Sequence, residues 1–167
     1  TDRVDVAPYR LMTHFVLALI IIGYTVWIWL DLGRKQPVEA SGLLRGIAIV
    51  LAIMVTLQMA SGALVAGLDA GRTYTDWPLM AGEAFPSTYI QADLGLRSLF
   101  EGRAATQFNH RILAYVIWFV ALGAVFAARG RPAARAFALL ATLITLQAVW
   151  GVLTLINTAP LELAIVH

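Results

Sequence analysis

The chain has 167 residues, of which 60% are hydrophobic and 13% charged, with a net charge of +2 and no cysteine. That balance excludes an ordinary soluble domain, which is about half apolar and about a quarter charged; the lack of thiols excludes disulfides, Cys-ligated zinc, iron–sulfur clusters and a thiol nucleophile within this chain. No basic stripe with interleaved aromatics points to nucleic acid, and the charges instead collect between long apolar runs, as they do when lipid is the solvent.

In chain order, the opening Thr1-Asp2-Arg3-Val4-Asp5 has neither an initiator Met nor the basic start of a signal peptide. Apolar runs follow at residues 9–30, 46–68, 108–128 and 133–156, and a fifth starts after Pro160 and covers 161–166. A run of about 20 residues at about 1.5 Å per residue crosses the hydrocarbon core. The expected fold is therefore an all-α integral membrane protein, an antiparallel bundle of transmembrane helices. The chain ends at His167 inside its last apolar run, so both termini read as cut.

Charge orients the bundle. Arg34, Lys35 and Arg45 lie between the first two runs, and Arg129, Arg131 and Arg135 between the third and fourth. Both connections are short, so the positive-inside rule assigns both to the cytoplasmic side, or to the matrix in a mitochondrion. The long connection 69–106 then faces outward, on the periplasmic side of a bacterial inner membrane. Tyr74, Trp77, Phe85, Tyr89 and Phe100, with Pro78 and Pro86, mark it as a structured cap rather than a linker. A short amphipathic helix over 90–100, lying in the interface, is expected within it.

A weak repeat links two of the runs. Leu57-Gln58-Met59-Ala60-Ser61-Gly62-Ala63-Leu64 parallels Leu146-Gln147-Ala148-Val149-Trp150-Gly151-Val152-Leu153, with the shared pattern Leu-Gln-x-x-x-Gly-x-Leu. Each copy follows a helix with a histidine near its outer end, His14 before the first and His110 before the second, which suggests duplicated helix pairs. Within each copy, glutamine and glycine four positions apart share a face; helix packing alone accounts for them, and service to a ligand pocket is the sharper alternative.

Three histidines fall at similar depth on alternate helices: His14, His110 at the start of the third run, and His167. A single interfacial histidine is commonly bland. Three at one depth suit axial ligation of haem, since two facing imidazoles hold a b-type haem between helices. His110 and His167 are able to pair, whereas His14 needs a partner from elsewhere. Gln107 shares the His110 face, and Ala114 leaves room there for a flat macrocycle or for a neighbouring helix. Arg10 and Arg111 stand beside His14 and His110, where they suit either haem propionates or lipid headgroups.

The run Leu64-Val65-Ala66-Gly67-Leu68-Asp69-Ala70-Gly71-Arg72-Thr73-Tyr74-Thr75-Asp76-Trp77-Pro78-Leu79-Met80 resembles an outer loop of the haem A synthase family, membrane enzymes that convert haem O to haem A. Gln107-Phe108-Asn109-His110-Arg111 looks like the family's Gln-Phe-x-His-Arg helix start, and Arg10-Leu11-Met12-Thr13-His14 and the stretch from Pro160 to His167 are similar to two further ligand-bearing helices. The Trp-Pro-Leu-Met variant looks like the proteobacterial-to-mitochondrial branch, and the resemblance spans essentially the whole chain. It implies eight helices in two pseudo-symmetric four-helix bundles. Residues 1–40 would be the last helix of the first bundle with its cytoplasmic connection, and 41–167 the second bundle with its outer loop 69–106. It also implies a bis-histidine haem b on His110 and His167, with Gln107, Arg111 and Arg10 as cofactor-binding neighbours, and His14 as a ligand of the substrate haem O. The implied reaction oxidises the C8 methyl of haem O to a formyl through successive hydroxylations. The implied partners are a ferredoxin-like or quinol electron donor, haem O synthase and cytochrome oxidase assembly proteins. A fragment of this kind is expected to be inactive alone. An electron-carrying membrane cytochrome b, which needs the same histidines but no oxidisable haem O, and a non-haem assembly factor or transporter remain as alternatives.

Overall fold

The computed structural model describes residues 7–33 and 41–167. The expectations for the first residues and for Arg34 and Lys35 lie outside that range. The described residues are all-α, with helices α1 (Pro8–Leu32), α2 (Gly42–Gly67), α3 (Ser98–Glu101), α4 (Arg103–Ala127), α5 (Ala134–Ile156) and α6 (Leu161–Val166). Four of them, α1, α2, α4 and α5, are long and apolar enough to cross a membrane. The chain is thus a multi-pass membrane helical bundle.

Local chemistry sets the helix ends. Pro8 opens α1 with a fixed φ and no amide hydrogen to satisfy. Ser41 caps α2, its hydroxyl accepting from the Leu44 amide at 3.4 Å. The same Oγ accepts from Arg131 Nη1 at 2.9 Å. The start of α2 and the connection between α4 and α5 therefore meet at one end of the bundle, the arrangement that the arginine distribution predicts.

Helix α1 packs on α2, α2 on α4, α4 on α5, and α5 on α6. The core lies towards the Arg131 end, where Leu44 and Leu51 of α2, Ile117, Ala121 and Ala124 of α4, Ala128, and Phe137 and Ala141 of α5 form one cluster. The alanine face of α4 lets both neighbours approach closely, as small residues do between helices in lipid. Nothing on α1 is buried.

The segment between α2 and α4 is ordered, but not as the expected helix over 90–100. It has a 3-10 turn at Gly95–Arg97 that runs into the single turn α3. Gly95 stands at φ 54°, a left-handed conformation that stops a helix there. The Ser98 hydroxyl instead bonds the Gln91 amide at 2.9 Å. At Gly102 the chain bends into α4, where an added Cβ would lie 2.7 Å from the Ser98 carbonyl oxygen. Helix α4 consequently starts at Arg103 rather than at the apolar run's onset.

Candidate functional site

With α4 starting at Arg103, His14, His110 and His167 all fall six or seven residues past the first position of their helices. Depth can also be read across α1 and α2. Pro8 packs against Gly67, where an added Cβ would lie 2.9 Å from the proline Cα. An equal rise of about 9 Å along each helix brings His14 level with Ser61, a contact of His110.

His110 and His167 face one another, with ring centres 6.2 Å apart and planes at 89°. Each imidazole rests in one copy of the repeated motif. The Gln58 amide donates to the His110 carbonyl at 3.1 Å and approaches its Nε2 at 3.2 Å. The Gln147 amide donates to the His167 carbonyl and lies 3.5 Å from its Nδ1. Four residues on, Gly62 leaves space for the His110 ring, whose Cε1 would be 3.2 Å from an added Cβ. Gly151 does the same for His167, where that distance would be 2.5 Å. The glutamine thus holds the histidine's backbone, and the glycine opposite is vacant by design of the helix face. Each motif thus contacts the histidine of the following helix, His110 or His167.

An imidazole nitrogen sits about 2 Å from a bound metal and its ring centre about 1 Å further, so two opposed ligands need ring centres about 6 Å apart. The observed ring-centre separation of 6.2 Å has that size, while the nitrogen-bearing edge of each ring lies against its own cradle, so ligating one iron would require the rings to turn. Among the described residues no group of three or more His, Asp or Glu side chains is arranged around a bare ion. A haem, whose macrocycle supplies the remaining iron ligands, fits the donor set.

The neighbours predicted for a cofactor are placed differently. Gln107 is buried, and its Nε2 donates to the Tyr74 carbonyl at 2.8 Å. The Arg111 guanidinium donates to three loop carbonyls, Tyr74, Asp76 and Leu79, each at 3.0 Å. Both side chains therefore staple the outer loop onto α4. The physical reason is that a loop without regular pairing leaves carbonyls that a buried fork of donors satisfies; of these two side chains, Arg111 Nε and Gln107 Oε1 are left without a partner among the described residues. Arg10 and His14 are exposed on α1, and the described residues give neither side chain a hydrogen bond.

The loop reinforces this lid. Asp76 accepts from the amides of Ala81 and Gly82, each at 3.0 Å, and these two bonds, Gly82 first, hold its carboxyl below the ordinary value of 3.8. Trp77 Nε1 donates to the Tyr115 hydroxyl of α4 at 2.9 Å. Phe85, Tyr89 and Phe108 form an aromatic cluster, and the Tyr9 hydroxyl of α1 donates to Glu101 at 3.1 Å. Sequence reasoning missed Ser61, whose Oγ lies 2.8 Å from His110 Nδ1. The available signal was its place three residues after Gln58, on the same helix face.

The family described as "Cytochrome oxidase assembly protein" (COX15-CtaA) matches residues 1–167. A protein of Hyphomonas neptunium named "Heme A synthase" is 61% identical over 167 residues, covering all of this chain and 48% of the relative. Proteins of the same name from Caulobacter vibrioides and Roseobacter denitrificans are 42% and 40% identical, covering 100% and 98% of this chain and 50% and 45% of the relatives. The chain spans about half the length of these curated relatives. No solved structure matches it.

Proposed function

The chain belongs to the COX15-CtaA family of cytochrome oxidase assembly proteins, and from that membership we propose that it is the part of a haem A synthase that holds a haem b between His110 and His167. The whole protein oxidises the C8 methyl of haem O to a formyl group. The observation that carries this reading is the facing pair of imidazoles at 6.2 Å, each seated in its own glutamine–glycine cradle.

The haem supplies the electron-transfer chemistry, and the protein supplies ligation, orientation and exclusion of water. His110 and His167 would hold the haem through their imidazole nitrogens. Gln58 and Gln147 donate to the backbone carbonyl of each of these histidines, which fixes where the two rings stand. Arg111 and Gln107 hold the outer loop over this end of the bundle, which keeps water from the site. His14, level with the pair but on α1, is the ligand for the substrate haem O. Arg10, one turn nearer the outer surface, meets a propionate. Residues 1–40 belong to the first bundle and 41–167 to the second. The electrons come from a ferredoxin-like or quinol donor, and the outer loop faces the periplasm of a bacterial inner membrane.

The test uses the full-length protein produced together with haem O synthase, followed by extraction and chromatography of its haems. Wild type is expected to yield haem b and haem A. His110→Ala should lose haem b, and His14→Ala should retain haem b but form no haem A. Haem b alone in the wild type, with its side chains unchanged, would make the protein an electron-carrying cytochrome. Undiminished haem A from His14→Ala would remove His14 from the reaction.

A further inference from the structure

The two histidine cradles are built alike except at one position. In the repeat, Ser61 and Trp150 are equivalent, each three residues after the glutamine and one before the glycine. The Ser61 Oγ lies 2.8 Å from the Gln58 carbonyl oxygen and 2.8 Å from His110 Nδ1. A hydroxyl has one hydrogen, and a carbonyl oxygen only accepts. The Ser61 hydrogen therefore goes to Gln58, and the Ser61 oxygen accepts from His110 Nδ1–H. That fixes the tautomer, so His110 carries its proton on Nδ1 and a lone pair on Nε2.

The Gln58 amide is consistent with this assignment. Its Nε2 donates to the His110 carbonyl at 3.1 Å and lies 3.2 Å from the His110 Nε2 lone pair, a contact that would yield to iron on haem binding while the carbonyl bond stays. Turning the amide over would crowd three acceptors together. The second cradle lacks the corresponding acceptor. An indole N–H only donates, and Trp150 Nε1 donates to the Leu163 carbonyl at 3.0 Å. It braces the backbone of α6 and takes no proton from a ring.

We propose that Ser61 is a positioning residue that fixes the His110 tautomer and makes His110 the more electron-donating of the two haem ligands. A hydrogen bond accepted from Nδ1–H raises the basicity of the opposite nitrogen. A more basic ligand favours ferric over ferrous iron, so the Ser61 bond lowers the reduction potential of this haem. The inference rests on the bis-histidine haem proposed above.

The experiment compares Ser61→Thr with Ser61→Val in the full-length haem-loaded protein. The two side chains have nearly the same shape, and only threonine keeps the hydroxyl. Redox titration followed by optical absorbance is expected to give a higher midpoint potential for the valine variant. The threonine variant should stay near wild type. Transfer of haem to apomyoglobin should be roughly 10-fold faster from the valine variant, and its low-spin ferric resonance should shift. Loss of haem from the valine variant alone also supports the role. If both β-branched variants lose haem, Ser61→Ala against wild type carries the same comparison without added bulk. Equal potentials and equal haem transfer with and without the hydroxyl overturn the inference. A wild type with no haem b fails differently, because it overturns the proposed function itself.

Discussion

Asp76 shows how one side chain shapes the lid over the site. Its two oxygens accept the Ala81 and Gly82 amides at a reversal where both residues have positive φ, 54° and 79°. The amides favour the ionised carboxylate, Gly82 most, and lower its pKa from 3.8. A carboxyl whose folded pKa is depressed contributes order that is full above the unfolded value and is lost as pH falls through the folded one. Asp76→Ala should therefore raise hydrogen exchange at Ala81 and Gly82 several-fold at neutral pH. As pH falls below 3.8 and through the lowered pKa, wild type loses its charge and the two should converge. Mass spectrometry of the loop peptide measures both. Arg111 acts at the same scale, and its three bonds to loop carbonyls give a second expectation. Arg111→Met leaves those carbonyls without their charged donor and should destabilise the fold by about 2–4 kcal/mol, measured by thermal unfolding in detergent. These bonds also show why the arginine's task was not legible in the sequence. Gln107 stands one turn before His110 and Arg111 directly after it, and spacing alone does not say whether a donor turns to a ligand or to a distant loop carbonyl.

At the scale of elements, long apolar runs announced α1, α2, α4 and α5, because lipid imposes a length that hydropathy reports directly. The start of α4 was not announced. Arg103, Thr106, Gln107 and Asn109 dilute the hydropathy of its first turns, yet Thr106 and Gln107 are buried, and Gln107 and Asn109 are hydrogen-bonded under the loop. The repeat was legible as Gln-x-x-x-Gly, but its target was not, since helix order along the chain does not say which neighbouring helix antiparallel packing brings against the motif. The glycines of the repeat make the role testable. Gly62→Ala places a Cβ 3.2 Å from the His110 ring, whereas Gly151→Ala places one 2.5 Å from the His167 ring. The first demands a small shift and the second a displaced imidazole. Gly151→Ala should thus lower haem content of the purified full-length protein by roughly 10-fold or more, and Gly62→Ala by less. Gly123→Ala, where an added Cβ meets nothing within 4 Å, should keep full haem content and gain up to about 1 kcal/mol of stability from helix propensity.

For the molecule as a whole, the question is which end faces which compartment and what covers α1. Helix α1 leaves Ile20, Ile21, Ile22, Trp27 and Trp29 exposed and packs on α2. A helix held by α2 and, through Tyr9, by Glu101 of α3 fits the edge position that an adjoining first bundle would cover. Sidedness follows from charge. Ser41 and Arg131 meet at the end that carries Arg45, Arg129 and Arg135, and the positive-inside rule predicts the cytoplasm for that end. The opposite end carries the stapled loop and lies nearest the histidine pair, six or seven residues into each helix. The haem would then sit in the outer half of the bilayer, and electrons would have to reach it from that side or through the membrane plane. The chain contains no cysteine, so single reporters can be placed in a full-length protein freed of any thiol elsewhere. Leu96→Cys lies in the loop, at a residue 81% exposed. Pro132→Cys lies at the arginine end and removes no positive charge. In intact spheroplasts a membrane-impermeant maleimide should label the first and spare the second, and permeabilisation should make both reactive. Labelling of Pro132→Cys in intact cells would invert the orientation, and would place the haem site beside the cytoplasm with its soluble reductants.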